Sequence, residues 1–293
     1  MVSLLVFIFG LHVYAQEDVQ QPRCIRPRDK PKADVGIIYL SGWFPFNNEI
    51  SRQGAKPIVP GHITLERNSR KRLQELADKT GHSIAVPLPI SDNGKGERSW
   101  QPSPRPGTAA PLLAKIEAAA TSACAGHRFI QGITLIGHSS GGYTTRELAL
   151  QCAAKKPKYS AVIMSGARAR SGQPTGPDCA KLIAVRGKGD PIDACNDKGC
   201  KSTTDFNIAA QNMVKSIGGN GAVLAPYSGG HILPPITQLA EVIRPAGNLV
   251  ATVKPPFKLT GQTTEIVTSP PQMSPPLRVT PPYSSGFLTD STR

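Results

Sequence analysis

The stretch Ile133-Thr134-Leu135-Ile136-Gly137-His138-Ser139-Ser140-Gly141-Gly142 decides how this chain folds. The run Ile133 to Ile136 predicts a buried strand, and Gly141 to Ala154 predicts a helix. The pattern Gly-x-Ser-x-Gly joins them. By itself that pattern is weak in a glycine-rich chain, but strand, tight turn and helix in this order give it a mechanical meaning. The turn is too sharp for side chains on its flanks, so glycine stands at both. Ser139 is left projecting from the strand's C-terminal edge. The backbone N–H of Ser140, at the helix N-terminus, points toward where an oxyanion would form. The plainer reading is a glycine-rich turn with an ordinary N-cap serine.

Working outward, short apolar runs alternate with helical stretches from Asp34 to about Ile243. Strands are expected at Val35 to Leu40, Ser83 to Pro87, Ile133 to Ile136, Ala161 to Met164, Lys181 to Val185 and Ala222 to Ala225. Helices are expected at Asn68 to Thr80, Pro111 to Ala123, Gly141 to Ala154, Asp205 to Ile217 and Ile236 to Ile243. Continuous apolar strands alternating with helices predict an α/β fold, a mostly parallel sheet of about six or more strands buried on both faces. Ser91 to Gly107 reads as a Gly/Pro/Ser-rich loop.

A serine hydroxyl needs a base, and the base needs an orienting acid. Asp190 lies just past the strand Lys181 to Val185, and His231 just past the last strand, so both fall on the sheet edge that carries Ser139. Asp193 competes with Asp190 as the acid. The plainer readings are a turn aspartate before Pro191 and a packed loop histidine. His138 reads as packing, and His62, His82 and His127 as turn-side residues without a role.

With these residues in place the chain resembles the α/β-hydrolase superfamily over about residues 34–245. The resemblance rests on Gly137 to Gly141, on Asp190 and His231 in that order, and on Leu40-Ser41-Gly42-Trp43 after the first parallel strand. It implies a catalytic set of Ser139, Asp190 and His231, with the Trp43 and Ser140 backbone N–H groups as oxyanion donors. Ser41 stands where the family usually has histidine. Only about fifteen residues follow Ser165 before the next strand, so no large cap domain is expected. The chain is similar to the compact, capless members, the dienelactone-hydrolase-like and small esterase groups. The implied activity is hydrolysis of a carboxylic ester through an acyl-enzyme, with thioester or peptide bonds open to the same chemistry. No cofactor and no metal are required. The alternative is a non-catalytic binding or envelope protein on the same scaffold.

Trp43, Phe44 and Phe46 suit either an acyl pocket or the core. Arg168 and Arg170 would favour an anionic ester if they overlook the site, and otherwise form a solvated basic loop.

Composition adds compartment and exclusions. The chain has 293 residues and a net charge of +14. Coiled coil, wholesale disorder and multi-span membrane protein are excluded. No nucleic-acid module accompanies the charge. The cluster Arg67 to Arg72 reads as a solvated helix face, and weak attraction to an acidic envelope or membrane surface is the remaining use of the charge. The partner expected is a small-molecule or acyl-ester substrate. Met1 to Tyr14 is apolar and too short to span a bilayer comfortably. Val13 and Ala15 precede a cleavage point before Gln16, so residues 1–15 read as a signal peptide and the protein as exported, periplasmic or secreted. All six cysteines follow that cut, and their even number predicts disulfides in a pairing left open. Cys195 and Cys200 close a short loop and are one candidate pair. No C-x₂-C and no histidine at ligand spacing supports zinc. Residues 16–33 read as a polar lead, 34–245 as the hydrolase domain and 246–293 as a Pro-rich extended tail.

Overall fold

Both faces of the central strands are apolar, and in the structure both are covered. The structure, a computed structural model, describes residues 22–42, 44–45, 60–89, 91–92, 97–100, 102–188, 190 and 203–243. They fall within the first of two compact units, Met1–Leu249; the second, Val250–Arg293, lies outside them. The leader, Trp43, Phe46, Asp193, Cys195, Cys200 and the Pro-rich tail also lie outside the described residues.

The elements in chain order are β1 (Arg23–Ile25), β2 (Val35–Leu40), β3 (Phe44–Pro45), α1 (Pro60–Thr80), β4 (Ser83–Val86), β5 (Ser91–Asp92), β6 (Glu97–Ser99) and α2 (Ala109–Ala123). There follow β7 (Phe129–His138), α3 (Ser140–Leu150), β8 (Tyr159–Ser165), β9 (Lys181–Val185), α4 (Thr203–Ser216), β10 (Gly221–Val223) and α5 (Ile236–Val242). The main sheet has seven strands in the order β1-β4-β2-β7-β8-β9-β10. The six expected strands pair in parallel. A small second sheet, β3-β6-β5, is antiparallel.

Alternation along each strand sorts the core into two layers. Ile38, Leu40, Leu135, Val162, Met164 and Leu182 pack beneath α2, α3 and α4, against Leu113, Ile116, Leu148, Phe206 and Met213. Ile37, Tyr39, Ile136, Ile163, Ile183 and Val185 pack on the other face against Leu73 and Leu76 of α1 and Leu239 of α5. Burial on both faces is why these strands lack a polar alternation in the sequence.

Two local findings differ from expectation. The stretch read as a polar lead supplies β1, which pairs antiparallel with β4 as the sheet's edge. The Ser91 to Gly107 loop contains β5 and β6. Elements of two or three residues carry too few side chains for a period to be seen.

Cys24 of β1 is bonded to Cys124 at the end of α2, and Cys152 after α3 is bonded to Cys179 before β9. Residues 166–180 join β8 directly to β9, which leaves no room for a large cap. Among the described residues no helix is long and apolar enough to cross a membrane. From β2 the chain moves outward to β4, then crosses back to lay β7 on β2's other side. The crevice that opens at such a reversal, outside the strands' C-terminal ends, is where α/β sheets hold their ligands.

Candidate active site

At that crevice Leu40 of β2 stands opposite Gly137 of β7. The turn after β7 is as tight as its glycines require. A Cβ on Gly137 would lie 2.0 Å from the Gly141 carbonyl oxygen, and one on Gly141 would lie 2.0 Å from that of Leu40. A Cβ on Gly142 would lie 2.3 Å from the Ser165 carbonyl oxygen. Ser139 takes φ 56° and ψ −120°, a strained conformation for a residue with a side chain. Its own N–H donates to the Ser165 carbonyl at 2.9 Å. Ser140 opens α3, where the first N–H groups have no intrahelical acceptor.

The loop after β2 is anchored from two sides. The Ser41 carbonyl accepts from the Gly141 N–H at 3.1 Å and from Nε1 of Trp100 at 3.1 Å. Trp100 is fully buried. These two donors hold the Ser41 peptide in place. They also consume the Gly141 N–H, so it is not available to an oxyanion. Gly42 lies against Ser139: a Cβ there would stand 3.1 Å from the Ser139 Cβ.

The loops after β9 and β10 are stitched together. Lys188 N–H donates to the Tyr227 carbonyl at 2.9 Å, and Tyr227 N–H to the Arg186 carbonyl at 3.2 Å. Gly187 permits this approach, since a Cβ there would lie 2.5 Å from the Gly230 carbonyl oxygen. Asp190 and His231 meet as a result. Nδ1 of His231 lies 3.0 Å from both Oδ1 and Oδ2 of Asp190. The Asp190 side chain is 1% exposed and that of His231 24%. Arg186 donates to the Asp190 carbonyl at 2.7 Å and so fixes the main chain behind the carboxylate. Arg72 donates to the Leu233 carbonyl, just past His231. One residue of the cluster expected on a solvated face therefore braces the histidine loop.

Nε2 of His231 is buried and has no hydrogen-bond partner among the described residues, Ser139 Oγ included. Catalytic hydrogen bonds in unliganded sites are often open and close when substrate is bound. Ser139 and His231 are linked through one peptide: the Ser165 carbonyl holds Ser139, and Gly166 lies under His231, where a Cβ would be 2.8 Å from Cε1.

Three residues stand at this site without having been expected there; the first is His138, which reads from sequence as packing. The His138 ring is 4.6 Å from that of His231, centroid to centroid. Burial, and then the nearby His231, push its pKa down to about 3. Tyr227 is also buried, and desolvation pushes its phenol up to about 12. Trp100 is the third. Nothing local marks them, because their partners are distant in sequence.

Arg168 and Arg170 are not a solvated loop. Arg170 pairs with Glu147 of α3, its Nε at 2.8 Å from Oε1. Arg146 holds the same carboxylate at 2.8 Å and donates to the Arg168 carbonyl at 2.6 Å. Arg170 is thus spent on a buried structural carboxylate. Among the described residues no group of three or more His, Cys, Asp and Glu side chains is placed to hold a metal.

No family model and no curated protein matches the sequence. Solved structures do show likeness in chain path. The Bacillus cereus carboxylesterase is 14% identical, over 78% of this chain and 95% of its own, with a TM-score of 0.42. TT1662 from Thermus thermophilus is 12% identical, over 75% of this chain and 89% of its own, with a TM-score of 0.42. Zea mays acyl-protein thioesterase 2 is 14% identical, over 76% of this chain and 96% of its own, with a TM-score of 0.41. The strand order, the antiparallel edge strand, the tight turn at Ser139 and the meeting of the loops after β9 and β10 give this chain the α/β-hydrolase fold.

Proposed function

We propose that the protein is an exported serine hydrolase that cleaves a carboxylic ester, or a related acyl bond, through Ser139, His231 and Asp190. The observation that carries this reading is the Asp190 carboxylate on Nδ1 of His231, 3.0 Å from each oxygen, beside a serine held in a strained tight turn. A binding module has no use for a buried carboxylate fixing a histidine tautomer next to a strained serine. The cysteines bonded in pairs suit an oxidising compartment.

In this mechanism Asp190 accepts a hydrogen bond from Nδ1–H, which leaves the Nε2 lone pair free to act as base. Ser139 Oγ attacks the substrate carbonyl carbon while its proton passes to Nε2. The carbonyl π electrons move to oxygen, where the Ser140 N–H and the Trp43 N–H stabilise the negative charge. The oxyanion collapses, the C–O bond to the leaving alcohol breaks, and the alcohol leaves with the proton from Nε2. Water then attacks the acyl-serine by the same steps, releases the acid and restores Ser139. The unpartnered Nε2 is the atom that such a proton transfer engages.

The test is labelling of the purified mature protein with a fluorophosphonate, wild type beside Ser139→Ala and His231→Ala. Wild-type labelling that both variants lose is the expected result, followed by hydrolysis of p-nitrophenyl esters. A folded wild type that stays unlabelled and inert on those esters would sink the hydrolase reading.

A further inference from the structure

His138 holds the variable place between Gly137 and Ser139, a position the turn geometry leaves open to many residues. In this chain it is a buried imidazole, 7% exposed. Its ring lies 4.6 Å from the His231 ring at an interplanar angle of 35°. On its other side Nδ1 is 3.1 Å from Ser165 Oγ. The Tyr227 hydroxyl donates to the carbonyl of Ile232, the residue after His231. Gly166 closes the remaining side, since a Cβ there would lie 3.0 Å from the His138 Cε1.

His138 therefore reaches His231 by two routes: ring to ring, and through Gly166, which both rings pack against. A histidine that merely filled core volume would be satisfied by Ser165 alone. Here the contacts converge on the one imidazole that the acyl-transfer reading sets in motion. Asp190 fixes one atom of that ring, Nδ1, and Cβ tethers it at Cγ, which leaves tilting of the ring about the line through these two points. A flat partner against the ring face removes that freedom.

We propose that His138 is a positioning residue for His231, an aromatic platform that fixes the plane of the His231 ring while Asp190 holds Nδ1. The proposal rests on His231 being the base proposed above. His138 touches neither substrate nor the reacting atoms in this role. Misplacing a catalytic group by about 1 Å lowers rates by about 100-fold, which sets the scale of the expected effect.

Two substitutions separate the platform from its hydrogen bonds. His138→Gln keeps polar reach and loses the ring; His138→Phe keeps a flat ring and loses the polar atoms. The first readout is the low-field proton resonance of His231 Nδ1–H in ¹⁵N-histidine-labelled protein, which needs no turnover. The second is the fluorophosphonate labelling rate, with melting curves to show that each variant is folded. Glutamine is expected to broaden the resonance away and slow labelling about 10- to 100-fold. Phenylalanine is expected to keep the resonance and stay within a few-fold of wild type. A glutamine variant that matches wild type in both readouts would overturn the proposal and make His138 a core filler. If wild type is never labelled but glutamine still abolishes the resonance, the platform stands and the hydrolase reading falls.

Discussion

Both carboxylate oxygens of Asp190 lie 3.0 Å from Nδ1 of His231, across 41 residues of chain. An amide in that place would present a donor to one tautomer and an acceptor to the other. Asp190→Asn is therefore expected to slow fluorophosphonate labelling by about 10⁴-fold with the fold intact. Asp193→Asn is expected to stay within a few-fold of wild type. The opposite ranking of the two variants would move the acid to Asp193.

Gly166 sits between the two imidazoles with φ 59°. A methyl group there would meet Cε1 of His231 at 2.8 Å and Cε1 of His138 at 3.0 Å. The His138 ring is buried, and the backbone conformation itself disfavours a side chain. Gly166→Ala is expected to lower the labelling rate at least about 100-fold, because both rings must shift. The thermal midpoint should fall modestly beside that loss. Unchanged labelling would show that the loop moves aside freely.

Glu147 is a stability residue, not a site residue. It is 1% exposed and neutralises Arg146 and Arg170 together. Burial pushes its carboxyl up, but the bonds from Arg170 and Arg146 outweigh burial and hold it below the ordinary glutamate range. Its contribution is present above the ordinary glutamate value and is lost as pH falls through the folded one. Glu147→Ala leaves Arg146, 11% exposed, and Arg170, 30% exposed, without their carboxylate, at an expected loss of about 3 kcal/mol. Urea unfolding with a lower midpoint and an unchanged slope would match this. A loss below about 1 kcal/mol would mean that water reaches the pair.

His138 should leave a mark on acid stability. Its pKa sits at about 3 in the fold, chiefly through burial, while a histidine in the unfolded chain titrates near 6.5. Between those values the unfolded chain binds a proton that the folded chain refuses, so stability falls as pH drops through that window. His231, Asp190 and Arg72 also act on the His138 ring, and all three remain in His138→Phe. That variant is expected to lose less stability than wild type between about pH 7 and about pH 4. Parallel pH profiles for the two proteins would show that His138 does not report on this window.

The fold was legible where a signal is repeated. Ile37, Ile38, Leu135, Ile136, Val162 and Ile163 announce strands covered on both faces, and helices of more than ten residues separate them. Asp190 could be named because it follows such a strand, and His231 because it follows Ala222-Val223-Leu224-Ala225, an apolar run longer than the part of edge strand β10 that it contains. Arg23–Ile25 could not, since three residues at an edge show neither period nor apolar run. Trp100 and Ser41 meet 59 residues apart and His138 and Ser165 27 apart, contacts that only the folded sheet creates. The arginines misled because charge alone does not reveal a buried carboxylate one helix away.

The bond between Cys24 and Cys124 joins residues 100 apart, yet Ser139, Asp190 and His231 all lie outside the loop it closes. Its effect on chemistry is therefore indirect, and its effect on company is direct. β1 is the strand that occupies the free side of β4, and the bond is its staple to α2. Without an oxidant that three-residue strand is free to peel away, and the Ser83–Val86 backbone becomes an open row of donors and acceptors. Intact, the disulfide keeps that row covered by β1. A reducing environment would threaten solubility before it threatened the serine.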